Sequence, residues 1–286
     1  MNSQTQLIGL IGHPVSHSKS PEMHNGMFAK LDLNYVYLAF DVPPSHLKEA
    51  IEGMKALKIK GFNVTIPHKV EVMKYLDQVS EEAKQIGAVN TIVNDEGRLI
   101  GYNTDGIGYL RSLIEETGVQ LKGKRVLILG AGGAARAIGY TIANSPIGQL
   151  TIINRDQNKA HILRKSLEQY TKTDVLSIEQ MEKGVKEADI IVNTTSIGMA
   201  PNIDQSLIKK EWIQPNHLVS DIIYNPLETK LIQEARSQGA QVHSGLGMFI
   251  YQGVIAFEKW TGITPDPSYM RLKVIESIKE KGRNTC

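Results

Sequence analysis

The sequence is nearly free of cysteine, and its charges nearly cancel. The single cysteine is Cys286, in a chain of 286 residues. One cysteine excludes an internal disulfide framework and a thiolate metal cluster, and it is typical of a protein from a reducing compartment. The 32 Lys and Arg residues and the 30 Asp and Glu residues give a formal net charge of +2. This balance does not indicate an extended basic surface, so we expect no nucleic-acid partner.

Long apolar runs are missing too. No stretch approaches the ~20 consecutive apolar residues that span a bilayer. Residues Met1 to Gln6 are polar and lack the charged start and apolar segment of a secretory signal. We therefore expect a cytoplasmic protein with no membrane partner, and the chain is long enough for two ordinary domains.

Metal-ligand patterns are the third absence. The chain has 8 histidines, but it contains no His-Glu-x-x-His sequence and no other spacing of histidines and carboxylates typical of a metal site. We therefore expect no metal.

The sequence does contain a glycine-rich turn after an apolar run. The run from Val126 to Leu129 is typical of a strand buried on both faces of a parallel sheet. The turn then has Gly130, Gly132 and Ala135 in the pattern G-x-G-x-x-A, and a helix-like run follows. Glycines permit a tight turn and close approach of a pyrophosphate, and the helix start offers it N–H groups and a positive dipole end. We predict a dinucleotide site whose turn consists of Gly130, Ala131, Gly132, Gly133 and Ala134.

The next predicted strand ends in residues that bear on the choice of dinucleotide. An NAD site places Asp or Glu about 20 residues on, where the carboxylate binds the ribose 2′-hydroxyl. This sequence has Asn154 and Arg155 there, with Lys159 nearby. A guanidinium binds a 2′-phosphate through paired, charge-assisted hydrogen bonds, so we favour NADP over NAD. The carboxylate of Asp156 argues for NAD, and Arg155 and Lys159 have the alternative of a merely solvated surface.

Three polar clusters follow predicted strands, where ligands bind in open α/β sheets. Their candidate residues are Ser18 and Ser20, then Asn63, Thr65 and Lys69, then Asn90 and Asp105. Hydroxyls at a helix start can hold an anion, and polar side chains on a strand need a partner such as a hydroxylated ligand. Each cluster also has a structural alternative, since Ser20 and Asp105 suit helix caps and Lys69 suits an exposed surface.

Strands and helices alternate along most of the sequence, which predicts α/β domains with mostly parallel sheets. An antiparallel hairpin is expected between the runs at 89–93 and 99–102, and Pro67 is expected to lead into a helix. We predict two domains. An amino-terminal α/β substrate domain has residues 1–106 plus 246–286, and a Rossmann-type, doubly wound dinucleotide domain has residues 107–245. The closing helices are expected to return to the first domain.

Taken together, the motifs resemble those of the shikimate dehydrogenase family. The matching segments are residues 17–21, 63–69, 87–91, 101–106, 130–135, 154–155 and 245–248, with Gln252. Each segment is weak evidence alone, whereas the ordered set is specific. The resemblance implies two α/β domains with an active site in the cleft between them. It also implies reversible, NADPH-dependent reduction of 3-dehydroshikimate to shikimate.

The resemblance further implies roles for individual residues. Lys69 and Asp105 match the catalytic pair. The substrate-binding positions are Ser18, Ser20, Asn63, Thr65, Asn90, Asp105, Tyr224 and Gln252. The cofactor-binding positions are those of the glycine-rich turn with Asn154, Arg155, Lys159, Ile222 and Gly245. Many family members have Thr where this chain has Asp156.

The chemistry of reduction fits a lysine beside a carboxylate. Hydride transfer to a ketone leaves an alkoxide that needs a proton, and a carboxylate such as Asp105 would favour the ammonium form of Lys69. A quinate or quinate/shikimate dehydrogenase with relaxed cofactor choice is an alternative, as is a metabolite-sensing protein on the same scaffold. A sensor does not explain Lys69 and Asp105, and a methyltransferase does not explain Arg155. The sequence leaves open whether the protein is a monomer or a homodimer.

Overall fold

The computed structural model describes residues 1–283, with side chains described for residues 1–279. Cys286, which carries the expectation of a reducing compartment, lies outside the described residues. The chain divides into two compact units, Met1–Thr104 together with the residues from Gln252 onward, and Asp105–Tyr251. Assignment of substrate and dinucleotide roles to these units remains a prediction.

Helices and strands alternate along the chain as expected. In chain order they are β1 (Gln6–Gly12), α1 (Ser20–Lys30), β2 (Tyr35–Asp41), α2 (Leu47–Ala56), β3 (Gly61–Val64), β4 (Gln78–Val79), α3 (Glu81–Ile86), β5 (Thr91–Asp95), β6 (Arg98–Tyr102), α4 (Asp105–Thr117), β7 (Arg125–Leu129), α5 (Gly133–Ala143), β8 (Gln149–Ile153), α6 (Gln157–Leu167), β9 (Thr173–Leu176), α7 (Met181–Glu187), β10 (Ile190–Asn193), β11 (Leu218–Asp221), α8 (Lys230–Ser237), β12 (Gln241–His243), α9 (Gly245–Thr261) and α10 (Pro267–Arg283). Among residues 1–283 the structure has no helix long and apolar enough to cross a bilayer.

The first unit contains a mixed sheet with the strand order β2-β1-β3-β5-β6-β4. Strand β1 is parallel to β2 and β3, whereas β5 is antiparallel to β3 and β6. The predicted hairpin between β5 and β6 is confirmed, and its turn has positive φ at Glu96 (50°) and Gly97 (91°), which suits a tight hairpin turn. Because β5 runs against its neighbours, it begins at the edge where β1, β3 and β6 end. Helix α10 packs against α1 in this unit.

The second unit contains a sheet with the order β12-β11-β10-β7-β8-β9, in which every pair is parallel. Alternate residues of β7 face opposite ways: Val126 and Ile128 lie in one buried cluster, and Leu127 and Leu129 in another. Both faces are thus covered, which is why this strand is a continuous apolar run. The chain order reverses at β7, which lies between β10 and β8, so the predicted Rossmann-type sheet is confirmed. In such sheets the reversal marks the binding crevice.

Two local predictions are wrong, and two strands were missed. Ser20 does not cap α1, because the helix begins at Ser20 and the preceding Lys19 makes no side-chain cap. Pro67 leads only into a short 3₁₀ turn at Glu71–Tyr75. The carbonyl of Lys69 accepts from the backbone of Val89 (2.8 Å), so it is engaged outside any helix. The missed strands are β4, which has only two residues, and β9, which has no fully apolar pattern, and both lie at the edge of a sheet.

Candidate functional site

Polar side chains gather along one edge of the sheet in the first unit. Ser18 and Ser20 follow β1, Thr65 and Lys69 follow β3, and Asn90 precedes β5. The pairing of β1 with β3, and of β3 with β5, places these chain segments side by side. Thus the sheet brings together residues that lie far apart in sequence.

A buried phenol that the sequence reasoning overlooked is hydrogen-bonded to Asn63 on β3. Tyr37 on β2 is fully buried, and its hydroxyl donates to Asn63 Oδ1 at 2.8 Å. Asn63 Nδ2 donates to the carbonyl of Asn90 and to Thr91 Oγ1, each at 3.1 Å. Both donor hydrogens of Asn63 are therefore engaged within the protein. Only its side-chain oxygen retains capacity for a ligand.

The network continues through Asn90 to the end of β6. Asn90 Oδ1 accepts from the backbone of Thr104 at 2.7 Å, and Asn90 Nδ2 donates to Thr104 Oγ1 at 3.0 Å. The hydroxyls of Thr91 and Thr104 lie 3.2 Å apart. Thr91 and Thr104 are fully buried and Asn90 nearly so, which makes satisfied hydrogen bonds essential here. The network fixes the residue that directly precedes Asp105.

The two serines are hydrogen-bonded to each other. Ser18 Oγ donates to Ser20 Oγ and accepts from the Ser20 backbone, both at 3.2 Å. Burial raises the pKa of Tyr37, and a hydrogen bond from Ser20 partly opposes that rise. The hydroxyl of Ser20 is bonded to that of Ser18 at the start of α1.

Thr65 and Lys69 lie on a segment held at both ends. The backbone of Thr65 donates to the carbonyl of Ile11 at 2.9 Å, and the Lys69 carbonyl is bound to Val89 as described above. Thr65 and Lys69 are half-buried, and so is Gln252. Backbone anchoring combined with partial exposure suits side chains that contact a ligand.

In the second unit, the glycine-rich turn leaves open space at the start of α5. Gly130 has φ of +113°, and a Cβ there would lie 2.5 Å from Thr194 Oγ1. A Cβ on Gly132 or on Gly133 would meet no heavy atom within 4 Å, so the space above the start of α5 is open. The first turn of α5 has no side-chain cap. The open space and the uncapped helix start therefore fit a dinucleotide phosphate.

The structure also gives a role to Asp156, whose carboxylate was the sequence feature in favour of NAD. Asp156 is the N-cap of α6, and its Oδ1 accepts from the backbones of Asn158 (3.0 Å) and Lys159 (3.2 Å). Its other oxygen lies 3.9 Å from Lys159 Nζ. The carboxylate is thus engaged by the helix start, while Arg155 is exposed. An aspartate with this capping role does not require a ribose as its partner.

Ile222 and Gly245, which are predicted to line the nicotinamide, are neighbours in the structure. The backbone of Gly245 donates to the Ile223 carbonyl at 3.3 Å, and a Cβ on Gly245 would clash with the carbonyl of Ile222. Glycine is therefore required for this close approach. The ring of Tyr224 stacks on Phe249, with 4.4 Å between centroids.

The segment from Asp221 to Thr229 is held by a buried carboxylate that sequence reasoning did not single out. Asp221 accepts from Thr229 Oγ1 (2.7 Å), Asn193 Nδ2 (3.1 Å) and the Ile223 backbone (3.1 Å). Burial raises the pKa of Asp221, and these three hydrogen bonds partly oppose the rise. A polar residue at the end of an apolar strand was the available signal. For Tyr37 the sequence contained no such signal, because tyrosine is common in strands.

A second buried cluster in this unit was also missed. His243 Nδ1 lies 2.9 Å from Ser220 Oγ, and its Nε2 lies 3.1 Å from Ser112 Oγ. These bonds link β11, β12 and α4 just before Gly245. Within the part of the chain that the structure describes, no three His, Cys, Asp or Glu side chains group closely enough to hold a metal ion.

Comparison with family models covers most of the chain. Residues 10–92 match the shikimate dehydrogenase substrate binding domain, and residues 112–223 match shikimate / quinate 5-dehydrogenase. Residues 245–271 match the shikimate 5′-dehydrogenase C-terminal domain.

Individual proteins match over nearly their full length. The shikimate dehydrogenase (NADP(+)) of Geobacillus kaustophilus is 47% identical over 274 residues, which cover 96% of this chain and 99% of the relative. A crystal structure of a shikimate dehydrogenase in complex with NADP+ has a TM-score of 0.91 and 48% identity, covering 97% of each chain. The Listeria monocytogenes shikimate 5-dehydrogenase in complex with shikimate and NAD has a TM-score of 0.90 and 40% identity, covering 95% of this chain and 97% of the other.

Proposed function

This chain belongs to the shikimate dehydrogenase family, and we infer from that membership that it is an NADP-dependent shikimate dehydrogenase. It reduces 3-dehydroshikimate to shikimate reversibly, in the pathway of aromatic amino-acid biosynthesis. The observation that carries this function is the match to an NADP(+)-dependent relative over 96% of the chain at 47% identity. The test is a spectrophotometric assay with shikimate or quinate and NADP or NAD. Turnover of shikimate with NADP supports the function, and no turnover in any combination contradicts it.

The polar edge of the first unit is proposed as part of the substrate site. The residues proposed to bind it are Ser18, Ser20, Asn63, Thr65, Asn90, Asp105, Tyr224 and Gln252. Support comes from the network that joins Tyr37, Asn63 and Asn90, because fixed hydroxyl and amide groups suit a hydroxylated acid. The tight bonding of Asn63 within that network favours a positioning role for it.

Lys69 is the proposed proton donor, with Asp105 as the second member of the catalytic pair. When bound, NADPH supplies a hydride to the ketone carbon. The ammonium of Lys69 then gives a proton to the oxygen on which negative charge develops. In the reverse direction Lys69 takes that proton from the substrate hydroxyl. Asp105 is buried at the first position of α4, where a carboxylate also suits the helix dipole.

The test of Lys69 is a comparison of two lysine variants. Lys69→Ala is expected to lower kcat by about 100-fold or more, with little change in KM, because general acid–base catalysis acts in the transition state. Lys74→Ala is the matched control, since Lys74 is an exposed lysine that pairs with Glu71 on the following turn. An unchanged kcat in Lys69→Ala contradicts the assignment.

The cofactor site is proposed in the second unit, on Gly130 to Ala134, Asn154, Arg155, Lys159, Ile222 and Gly245. Its support is the open space above Gly132 and Gly133 and the exposed guanidinium beside the capped start of α6. Arg155→Ala is expected to raise the KM for NADP about 10-fold or more and to leave NAD use nearly intact. Arg164→Ala is the control, because it removes a half-buried arginine of α6 that pairs with Glu168. Equal effects of Arg155→Ala on both cofactors would show that Arg155 does not bind the 2′-phosphate.

The proposal also covers surroundings and assembly. We propose a cytoplasmic enzyme, because a chain with a single cysteine suits a reducing compartment. We propose a monomer or a homodimer, which light scattering of the purified protein distinguishes.

A further inference from the structure

The turn between β1 and α1 contains a buried lysine between the two serines. Lys19 is 4% exposed, although the residues before it, His17 and Ser16, are exposed. The residue is fixed at its backbone too, because its carbonyl accepts from Met23 in the first turn of α1 at 3.2 Å. A buried ammonium is costly unless hydrogen-bond acceptors surround it. The acceptors of Lys19 therefore decide whether this turn keeps its shape.

Those acceptors come mainly from the far end of the chain. Lys19 Nζ donates to the Ser277 hydroxyl at 2.6 Å and to the Ser277 carbonyl at 2.9 Å. Its nearest carboxylate oxygen, on Glu22, is farther away at 3.5 Å. Ser277 Oγ also donates to Glu22 at 2.8 Å. The Ser277 hydroxyl thus bridges the Lys19 ammonium and the Glu22 carboxylate, which are too far apart for a good direct hydrogen bond.

Ser18 and Ser20 flank Lys19 in the chain and are hydrogen-bonded to each other. Their positions therefore depend on the position of Lys19. The Ser18 hydroxyl accepts from the Ser20 backbone and donates to the Ser20 hydroxyl, while the Ser18 backbone donates to the Val15 carbonyl at 3.0 Å. These bonds close the turn into one small unit. A displacement of Lys19 is therefore transmitted to both hydroxyls.

We propose that Ser277 of α10 is a positioning residue for the substrate, which holds Lys19 and thereby sets the position of Ser18 and Ser20. The inference rests on the proposed function, in which these two serines bind the acid substrate. Ser277 acts without touching the substrate. Its loss weakens binding of shikimate and leaves binding of NADP unchanged.

The experiment measures shikimate binding by calorimetry, alongside KM and kcat for shikimate and for NADP. Ser277→Ala removes the 2.6 Å bond and is expected to raise the Kd and KM for shikimate about fivefold, with kcat and the KM for NADP nearly unchanged. Ser277→Thr keeps a hydroxyl and is expected to restore binding. Lys19→Met removes the ammonium and keeps an unbranched side chain of similar length. It is expected to raise the shikimate KM as well.

The control separates positioning from simple loss of packing. Val274→Ala removes a fully buried side chain from the same helix without touching the hydrogen bonds of Lys19. It is expected to lower the melting temperature and to leave the shikimate KM unchanged. The inference is overturned if Val274→Ala raises that KM as much as Ser277→Ala, or if Ser277→Ala binds shikimate like the wild type. A wild-type protein that neither binds nor oxidises shikimate would refute the proposed function itself, which is a distinct outcome.

Discussion

His24 makes the stability of the first unit depend on pH. It is fully buried, its ring stacks on Tyr37 with 4.6 Å between centroids, and Trp260 meets it edge-on at 5.4 Å. Among the described residues, neither ring nitrogen has a hydrogen-bond partner. Burial lowers the pKa of His24 from 6.5 to about 3, because the charged imidazolium loses its water.

The sign and size of the effect follow from that shift. Below pH ~6.5 the unfolded chain takes up a proton at His24 that the folded chain refuses. Stability from this group is therefore fully present above pH ~6.5 and is lost as pH falls towards about 3. At ~1.4 kcal/mol per pH unit, lowering the pH from 8 to 5 costs the folded state about 2 kcal/mol.

The assay uses the tryptophan beside His24 as its probe. The chain has 2 tryptophans, Trp212 and Trp260, so a Trp212→Phe background leaves Trp260 to report on the first unit. Urea unfolding at pH 8 and pH 5 is compared with and without His24→Phe, which keeps an aromatic ring and removes the titration. The loss of stability between the two pH values is expected to be smaller in the variant by about 2 kcal/mol.

Two outcomes decide whether His24 causes this dependence of stability on pH. The control is His161→Phe, because His161 is exposed on α6 and keeps its water in both states. It is expected to leave the loss between pH 8 and pH 5 unchanged. An equal loss with His24 and with Phe at position 24 would refute the reasoning, whatever the effect of the substitution on absolute stability.

Three further changes test the network, the turn and the buried carboxylate. Tyr37→Phe leaves Asn63 Oδ1 without its donor, and we expect urea unfolding to show a loss of about 1–3 kcal/mol and kinetics to show a raised shikimate KM. Gly130→Ala places a Cβ 2.5 Å from Thr194 Oγ1 at a φ of +113°, so it is expected to raise the KM for NADP and not that for shikimate. Because burial raises the pKa of Asp221, its contribution to stability is fully present below pH ~3.8 and is lost as pH rises. Thermal melts should therefore show Asp221→Asn gaining on the wild type between pH 4 and pH 7, and a constant difference would contradict this.

Local regularities in the sequence were enough to predict most of the fold. The apolar run of β7 is buried on both faces, and such a strand belongs in a parallel sheet with helices on both sides. The turn chemistry at Glu96 and Gly97 likewise belongs to a hairpin. The prediction of a helix after Pro67 was wrong because the carbonyl of Lys69 accepts from the backbone of Val89 instead of from a helical neighbour. That bond joins residues distant in the chain, so no local pattern reveals it.

The candidate site also has a part that the sequence predicts and a part that depends on the folded structure. The family and its motif residues follow from the sequence, since each motif is a short segment whose residue types are visible together. Asp156 was ambiguous there, because a carboxylate after a strand serves equally to bind a ribose or to cap a helix. The geometry of α6 shows that it caps. The choice between the two roles depends on where the backbone N–H groups point.

Short segments of the sequence are thus enough to assign the class of fold, the family and the residues that carry its motifs. How those residues are held depends on contacts between distant parts of the chain. Tyr37 donates to Asn63, and Ser277 lies against Lys19 across more than half of the chain. A buried polar group requires a partner, but any distant residue that folding brings near can supply it. The need for a partner is local, and its identity is a property of the folded chain.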